Sequence, residues 1–443
     1  MAEFERFKLV LPLEAQMPMI HFQSTQCGAT LRASEVKPKL DRFLIGKMMK
    51  EAGKDLSGLK KDGNYKGLFL DAGSEGNDGL DYKLQITERD VVREVDLSKN
   101  EDKKENYTMF YANMGKHDPA ELVYGVFSSP LITIICFKEK LRHYIEENIE
   151  KFFLVTNFGT MQNKGFGSFV PAAWCTGEAL DETKMAEVAA AYQELIPGGV
   201  CYAMEFRNYP GRTAPFAEKN RFCKEMSETI KNFYSIMKSG QNMRGYVRSY
   251  IYTYGHDVLK LGNEKAWMKK NRIAPIVSQP QNEKKHEYGS EKYRYLRAFL
   301  GIGEQIEYGT GYKIGTNGKE VLTKEPMIKV SIKCKSAKIE RLASPVYFKV
   351  IGNVVFIVAF DVPEELYGAE FMFASEKKWK NKKIPAVAIG SGTITVPDKA
   401  ELNGTFDIQD FLKRYVEFYN GEMRNELTFL NRAPKVKVVK PNA

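Results

Sequence analysis

Hydrophobic and polar residues are arranged in the first half of the chain in a pattern that predicts strands separated by two helices. The strand pattern falls on residues 7–13, 82–86, 93–97 and 131–137, the last of which is rich in β-branched residues. Within residues 30–49 the apolar positions recur at spacings of three and four, which predicts a loop followed by a helix. Ser34 is the expected N-cap of that helix, with Pro38 in its first turn.

A second helix is predicted over residues 139–153, and it leads into the glycine-rich segment 157–169. The succession of strand, helix, glycine-rich loop and strand is typical of one half of a ferredoxin-like βαββαβ unit. The first half of the chain is therefore expected to form an α+β domain.

The second half begins with helical patterns and then returns to strands. Helices are predicted over residues 217–239, 245–254 and 292–300, and strands over residues 327–334, 346–350, 354–360 and 370–374. A last helix over residues 407–419 precedes a basic tail at residues 435–440. These patterns predict a second α+β unit with an antiparallel sheet, so we place one domain over residues 1–210 and another over residues 211–443.

Length and composition support this division. The chain has 443 residues, of which 43% are hydrophobic and 28% are charged. These values exclude a disordered polymer and a small disulfide-stapled domain, because a chain of this size can bury a large apolar core. Two domains of ordinary size are the natural expectation, with three domains as the alternative.

The formal net charge of +10 is distributed unevenly along the chain. Residues 1–200 carry 25 basic and 30 acidic side chains, whereas residues 201–443 carry 41 basic and 26 acidic ones. This asymmetry indicates a polyanionic partner, either nucleic acid or a membrane surface, that binds mainly through the second half. A contribution to solubility alone is the alternative reading.

Several classes of site and of location are excluded by simple motifs. The six cysteines lie far apart with no CxxC pair, so neither a zinc site nor a disulfide framework is indicated, and a reducing cytoplasm is expected. The N-terminal residues do not resemble a signal peptide, and the longest apolar run, at residues 131–137, is too short to span a bilayer. No cofactor is predicted.

The glycine-rich segment NFGTMQNKGFGSF has two interpretations. Its glycines would let the backbone approach a bulky anion, Lys164 would add charge, and Phe166 would offer a ring for stacking. The spacing fits neither a Walker loop nor a dinucleotide-binding fingerprint. A tight hairpin between two strands is the structural alternative.

Two other segments combine basic residues with features that suit RNA. Residues 29–42 place four basic side chains around a predicted helix start, where phosphates bind readily. Residues 239–272 interleave basic and aromatic side chains, including Arg244, Tyr246 and Arg248, as single-stranded nucleic acid requires. A solvated helix face and a half-buried tyrosine core are the respective alternatives.

Catalytic motifs are scarce in this sequence. The histidines show no HExxH pairing, and no GxSxG elbow is present. His21, which precedes the glycine-rich loop, is the one candidate for a general base, and a structural histidine is the competing interpretation. The acidic clusters have the character of solvated loops, so no metal site is predicted.

Several segments of this sequence follow one another in an informative order: MPMIHFQ, then GATLRASEVKPKLDRFL, the loop FGTMQNKGFGSF, and the later segments GYVRSYIYTY and IERLASPVYFKV. Their order resembles the RAMP superfamily, the RNA-binding subunits of CRISPR effector complexes, and in particular the large end subunit of the Cmr-type (type III) complex. This resemblance implies two ferredoxin-like domains with antiparallel sheets and a helical insertion between them.

The resemblance also implies binding of guide RNA or of the guide–target duplex, and the presence of other effector subunits as partners. The positions that it marks as RNA contacts are Arg32, Lys37, Lys39, Arg42, Lys164, Gly165, Phe166 and Gly167. We add Arg244, Tyr246, Arg248 and Arg341 on the basis of composition alone.

Three classes of function follow from this sequence. The first is a non-catalytic RNA-binding subunit that holds RNA in a basic groove between two domains. The second is a metal-independent endoribonuclease that processes guide RNA, with His21 as general base. The third is a protein-interaction scaffold in which the basic half is incidental.

Overall fold

The structure is a computed structural model, and it describes residues 5–21, 30–70, 78–96, 124–211, 213–242, 246–275, 292–303, 305–314, 320–335, 339, 341–379, 383–423 and 433–441.

The first half of the chain folds around one antiparallel sheet with helices on one face. Its elements are β1 (Lys8–Ala15), α1 (Ala33–Ala52), α2 (Leu56–Lys61), β2 (Lys83–Glu88), β3 (Arg93–Asp96), β4 (Tyr124–Phe127), β5 (Pro130–Ile135), α3 (Glu139–Val155), β6 (Phe169–Pro171) and α4 (Glu182–Leu195). The strands of the first sheet lie in the order β2-β5-β1-β6, and β3 pairs with β4 separately. The inward residues Leu13, Ile132 and Ile134 join a core with the buried faces of α1 and α3.

The second half contains a sheet of the same size. Its elements are β7 (Cys201–Glu205), α5 (Phe216–Lys238), β8 (Gln241–Asn242), β9 (Tyr246–Val247), α6 (Tyr250–Asp257), β10 (Gly262–Asn263), α7 (Glu264–Lys270), β11 (Tyr293–Arg294), β12 (Gln305–Ile314), β13 (Glu320–Cys334), β14 (Val346–Ile351), β15 (Val354–Ala359), β16 (Glu370–Lys378), β17 (Val387–Thr395), α8 (Ile408–Phe418) and β18 (Val436–Val439). The second sheet has the antiparallel order β14-β15-β7-β18.

The two four-stranded sheets share one connectivity. In the first, the chain runs β1, α1, β2, β5, α3, β6; in the second, it runs β7, α5, β14, β15, α8, β18. In both, the third strand of the unit lies between the second and the first, and the fourth lies beside the first. The prediction of an α+β chain with antiparallel sheets is therefore confirmed.

A third sheet is made of segments inserted into the second unit. Strands β12 and β13 come between α5 and β14, and strands β16 and β17 come between β15 and α8; together they form the order β12-β13-β16-β17. The insertion was expected to be helical. It does contain α6 and α7, but two long strands follow them: β12 pairs with β13, and β13 pairs in turn with β16, which comes after β15 in the chain.

Several predicted elements need correction. The helix predicted over residues 245–254 begins at Tyr250, after the short strand β9. The helix predicted over residues 292–300 is the strand β11 followed by a 3-10 turn, Leu296–Leu300. The basic tail contains β18, which completes the second sheet beside β7.

The start of α1 also differs from the expectation. Arg32 occupies the N-cap position, where its side chain does not cap the helix, so Ser34 is inside the helix. Pro38 consequently lies in the second turn and not in the first. The domain boundary at residue 210 stays a prediction, and β7, which precedes it, already belongs to the second sheet.

Candidate nucleic-acid interface

The glycine-rich loop lies between the two four-stranded sheets and is pinned to strand β14. The backbone N–H of Asn157 donates to Tyr347 Oη at 2.6 Å, and its side-chain amide donates to the carbonyl oxygen of Phe348 at 2.8 Å. Farther along, Ser168 Oγ donates to the Val350 carbonyl oxygen at 2.6 Å. The loop is therefore a joint between the two halves of the chain.

The middle of the loop reaches the segment that leads into β14. Asn163 Nδ2 donates to the carbonyl oxygen of Ser344 at 2.6 Å, and the Phe348 amide donates to the Asn163 carbonyl at 3.2 Å. These hydrogen bonds are spread from residue 344, just before β14, to residue 350 within it. They therefore fix the position of the loop along the strand.

Glycine is required in this loop for close packing. Gly167 has φ of +64°, and a Cβ added there would lie 1.9 Å from the carbonyl oxygen of Phe158. Gly159 has φ of +76°, and its added Cβ would lie 2.5 Å from the carbonyl oxygen of Ile20. Both positions combine a left-handed backbone with contact against another backbone, which only glycine tolerates.

The amide groups of the loop are already used inside the protein. The Gly159 amide donates to Glu35 Oε1 at 2.5 Å, the Thr160 amide to the Ile20 carbonyl at 2.7 Å, and the Gly167 amide to the Pro18 carbonyl at 3.0 Å. The Lys164 and Gly165 amides close turns onto residues 161 and 162. The expected anion-binding concavity is thus not formed by these groups, because their hydrogen-bonding capacity is spent on folding.

Lys164 and Phe166 point into the protein and away from solvent. Phe166 is 0% exposed, and Gly165 packs between Ile230 and Val350, with 3.2 Å from an added Cβ to each. Lys164 is 9% exposed, and its ammonium nitrogen lies 2.8 Å from the centroid of the Tyr234 ring. Burial lowers the pKa of Lys164 well below its usual range. Neither side chain faces solvent, so these positions do not support the predicted contacts with RNA.

One face of α1 lies against the outer side of the loop. Arg32, Glu35, Lys39 and Arg42 follow each other at spacings of three and four, so they form one stripe. Lys39 Nζ donates to the Asn157 carbonyl oxygen at 2.9 Å and to Gln162 Oε1 at 2.7 Å. Burial lowers the pKa of Lys39, against the opposing effect of Glu35. Lys39 therefore holds the loop, and its hydrogen-bonding capacity is largely used there.

His21 lies at the inner end of the same stripe. It is 2% exposed, and burial lowers the pKa of its ring, with a further contribution from the charge of Arg32 and an opposing one from Glu35. A general base must reach the proton that it removes. The position of His21 under the stripe therefore favours the structural interpretation over the catalytic one.

Lys37 lies on a different side of α1 from the other basic residues. Its Nζ donates to Asp41 Oδ2 at 2.8 Å and to the Leu80 carbonyl oxygen at 3.0 Å, and it lies 4.1 Å from the centroid of the Tyr82 ring. The helical period explains this, because position 37 belongs to the face that packs towards the first sheet. Its predicted role in RNA contact is not supported by this position.

Arginines remain exposed around the loop. Arg32 and Arg42 are exposed at the two ends of the α1 stripe, and residues 159–163 form a half-exposed surface beside them. On the second half of the chain, Arg341 is exposed three residues before Ser344, the residue that Asn163 contacts. We call Arg32, Arg42 and Arg341 the loop-side arginines.

The remaining residues predicted to contact RNA lie away from the loop or outside the residues that the structure describes. Arg248 lies just before α6, with its guanidinium carbon 4.7 Å from the centroid of the Tyr252 ring. Arg244 and the side chain of Tyr246 lie outside the described residues, although the Tyr246 backbone forms β9.

Lys349 was missed by the sequence analysis. It lies in β14, is 0% exposed, and its Nζ donates to the Thr156 carbonyl oxygen at 2.8 Å. The available signal was a single lysine in the otherwise apolar run VYFKVI. A lysine in a strand buried on both faces needs hydrogen-bond partners at fixed positions, because an unpaired polar group is costly there.

Across the described residues, no group of three or more His, Cys, Asp and Glu side chains is placed to hold a metal ion. Among the helices that the structure describes, none combines the length and the apolar character needed to cross a bilayer.

Comparison with known proteins gives matches over nearly the whole chain. A family model described as the Cmr1 N-terminal domain matches residues 6–241, and one described as the Cmr1 C-terminal domain matches residues 246–438. Among solved structures, the chain is similar to the apo form of Cmr1 from Pyrococcus furiosus, with 10% sequence identity and a TM-score of 0.37, over 88% of this chain and 99% of that one. No curated protein matches. The chain therefore belongs to the Cmr1 family, whose members are RAMP-type subunits of type III CRISPR effector complexes.

Proposed function

We propose that this protein is a non-catalytic RNA-binding subunit of a type III effector complex, and that it holds guide RNA or the guide–target duplex at the junction of its two halves. Membership of the Cmr1 family supports the place in a complex. The observation that carries RNA binding is the position of the loop-side arginines around the pinned glycine-rich loop.

The geometry supports a rigid surface for the phosphate backbone. Arg32 and Arg42 are spaced by ten residues of one helix, which corresponds to about 15 Å along its axis. The loop between them is fixed by Lys39 and by strand β14. Cations held on rigid elements bind a polyanion with less loss of side-chain entropy than cations on mobile loops.

We infer that the two halves are ferredoxin-like domains. The support is the shared βαββαβ connectivity and the identical strand order of the first and second sheets. In this arrangement the proposed RNA groove lies between the two domains, with Arg32 and Arg42 on the first domain and Arg341 on the second. The cytoplasmic location and the other effector subunits as partners belong to the same proposal.

The proposal excludes cleavage by His21. A buried histidine whose pKa is lowered would have to be exposed before it could reach a ribose hydroxyl. Incubation of the pure protein with a repeat-derived hairpin RNA, without metal, should leave the RNA intact. Cleavage that disappears in His21→Ala would replace this proposal with the endoribonuclease.

Binding of single-stranded RNA to the purified protein tests the proposal directly. We expect the affinity to fall steeply between about 50 and about 200 mM salt, because bound phosphates release counterions. Arg32→Ala together with Arg42→Ala should weaken binding and reduce the slope of log affinity against log salt by about 1.4 for two single-strand contacts.

Lys413→Ala is the matched control, because Lys413 is an exposed cation on α8, far along the chain from the loop. It should bind RNA as the parent does. If the parent protein fails to bind RNA but co-purifies with other effector subunits, the scaffold function is correct instead.

A further inference from the structure

A second basic surface lies on the third sheet, where α7 crosses its inner face. Trp267 packs edge-on against Phe373 with ring centroids 5.9 Å apart, and Lys265 Nζ lies 5.9 Å from the centroid of the Tyr308 ring. Phe373 belongs to β16 and Tyr308 to β12, so the helix is laid across the sheet. Asn263 caps the helix by accepting a hydrogen bond from the Ala266 amide at 2.9 Å.

The end of α7 is anchored to the sheet by a buried residue. Ile273 is buried, its amide donates to the Met268 carbonyl oxygen at 2.9 Å, and its own carbonyl accepts a hydrogen bond from Ser375 Oγ. A Cβ added at Gly390 of β17 would lie 3.2 Å from the Ile273 Cα. The turn that follows α7 is therefore fixed against two strands.

The end of α7 and the anchored turn after it have exposed basic side chains. Lys269, Lys270 and Arg272 are exposed, and Arg272 adopts φ of 56°, in the left-handed region. Cations are favoured at the C-terminal end of a helix by its dipole. Lys270 Nζ also lies 5.1 Å from the centroid of the half-buried Tyr293 ring.

Strand β16 adds a further cation beside the turn. Lys377 lies two residues after Ser375, and the regular pairing of β16 with β13 places it on the face that Ser375 shares with Val330. Because Ser375 bonds to Ile273, Lys377 comes to the same corner as Arg272. We call Lys269, Lys270, Arg272 and Lys377 the basic corner.

Three cations of this corner, Lys270, Arg272 and Lys377, take part in no ion pair with the described residues. Within the described part of the chain, no carboxylate oxygen lies within the 4.0 Å of an ion pair from Lys270, Arg272 or Lys377. Uncompensated cations on a rigid turn attract a polyanion, and the tyrosine ring next to Lys270 offers a face for a base.

We propose that the basic corner is a second RNA site, which takes a single-stranded segment through its phosphates. This inference rests on the proposed RNA-binding function and extends it to the inserted third sheet, which contains none of the loop-side arginines. An acidic segment of a neighbouring protein is the competing occupant. The tyrosine ring and the spread of cations over a helix end and a strand favour RNA.

The test compares two sets of variants in the full-length chain. The corner variant combines Lys270→Ala, Arg272→Asn and Lys377→Ala; asparagine is chosen because it tolerates the left-handed backbone. For three lost single-strand contacts, the slope of log affinity against log salt should fall by about 2. Ultraviolet crosslinking of RNA to the peptides around Lys270 and Lys377 should decrease, and crosslinking near Arg32 should persist. Lys413→Ala serves as control, and thermal melting verifies folding.

The outcomes separate this inference from the proposed function. If the corner variant binds RNA with an unchanged salt slope while Arg32→Ala with Arg42→Ala weakens binding, the second site is wrong and the proposed function stands. If the corner variant keeps its RNA affinity but no longer co-purifies with an effector subunit, the occupant is a protein. If the parent chain binds no RNA at all, both proposals are wrong.

Discussion

Lys349 Nζ donates a hydrogen bond of 3.0 Å to the carbonyl oxygen of Phe169, and this contact ties the second sheet to the first. Lys349 lies in the middle of β14 and Phe169 begins β6. A second bond, from the same nitrogen to the Thr156 carbonyl oxygen at the end of α3, holds the buried side chain in place. A buried lysine is thus enclosed at the same junction where the glycine-rich loop is pinned.

The free energy of unfolding should depend on pH because of this buried lysine. Burial, with a smaller contribution from the charge of Lys39, lowers the pKa of Lys349 well below its ordinary value of 10.5. Between the lowered pKa and 10.5, the unfolded chain binds more protons than the folded one. The free energy of unfolding should therefore rise with pH in this window, by up to about 1.4 kcal/mol per pH unit for one group.

Lys349→Met should remove this contribution, so that its urea unfolding curves depend less on pH between about pH 7 and about pH 9. Lys413→Met changes an exposed lysine and should keep the slope of the parent. An unaltered slope in Lys349→Met would show that the ammonium is charged in the folded protein throughout this range.

Gly167→Ala should destabilise the protein strongly. The substitution combines a positive φ with a Cβ placed 1.9 Å from the Phe158 carbonyl oxygen, so the loop must shift away from its contacts. We expect a loss of about 2 to 4 kcal/mol, measured by chemical unfolding. Gly46→Ala is the control, because Gly46 lies inside α1 with no atom within 4 Å of an added Cβ. That change should stabilise the protein by up to about 1 kcal/mol; a similar loss in both variants would contradict the packing role of Gly167.

Tyr347→Phe should weaken the joint between the halves. It removes the hydroxyl that accepts the Asn157 amide at 2.6 Å, and that amide is buried. An amide left without its acceptor costs about 1–3 kcal/mol, and we expect a loss of this size in the free energy of unfolding. Tyr65→Phe, at a half-exposed tyrosine of the first half, should have little effect. Equal stability of the two variants would mean that the Asn157 amide finds another acceptor.

Lys37 and Arg42 should behave in opposite ways although both are basic residues of α1. Lys37→Ala should leave RNA affinity unchanged and lower stability, because it breaks the contacts with Asp41 and Leu80. Arg42→Ala should weaken RNA binding with little change in stability, because Arg42 is exposed. Fluorescence anisotropy with single-stranded RNA and thermal melting of both variants measure the two effects. A loss of RNA affinity in Lys37→Ala at full stability would contradict the assignment of faces.

Local pattern was a good guide to the elements of this protein. Long amphipathic segments such as α3 and α8, and the apolar strands β14 and β15, were predicted within a few residues, because burial on one face or on both leaves a clear period. Several short elements, such as β9, β11 and β18, were not predicted as strands. Strand β18 has the composition of a basic tail, and only its pairing with β7 makes it a strand.

The sequence by itself also determined which residues lie around the junction of the two halves. The RAMP-like motifs and the glycine-rich loop come together, with Arg32, Lys39 and Arg42 on one stripe, because helical periodicity places them there. What the sequence did not decide was which of these side chains face solvent. Lys164 is a cation and Phe166 an aromatic residue, and both types are common in RNA contacts. In the structure, however, both side chains are buried.

The packing of the two halves against each other determines which of these side chains are exposed. Strand β14 is separated from the loop by almost two hundred residues, and it covers the face that a base or a phosphate would need. Burial depends on contacts between segments distant in the chain, which no local period records. The net charge of +10 likewise follows from the sequence alone. Only the fold determines that the loop-side arginines and the basic corner lie at two separate places on the protein.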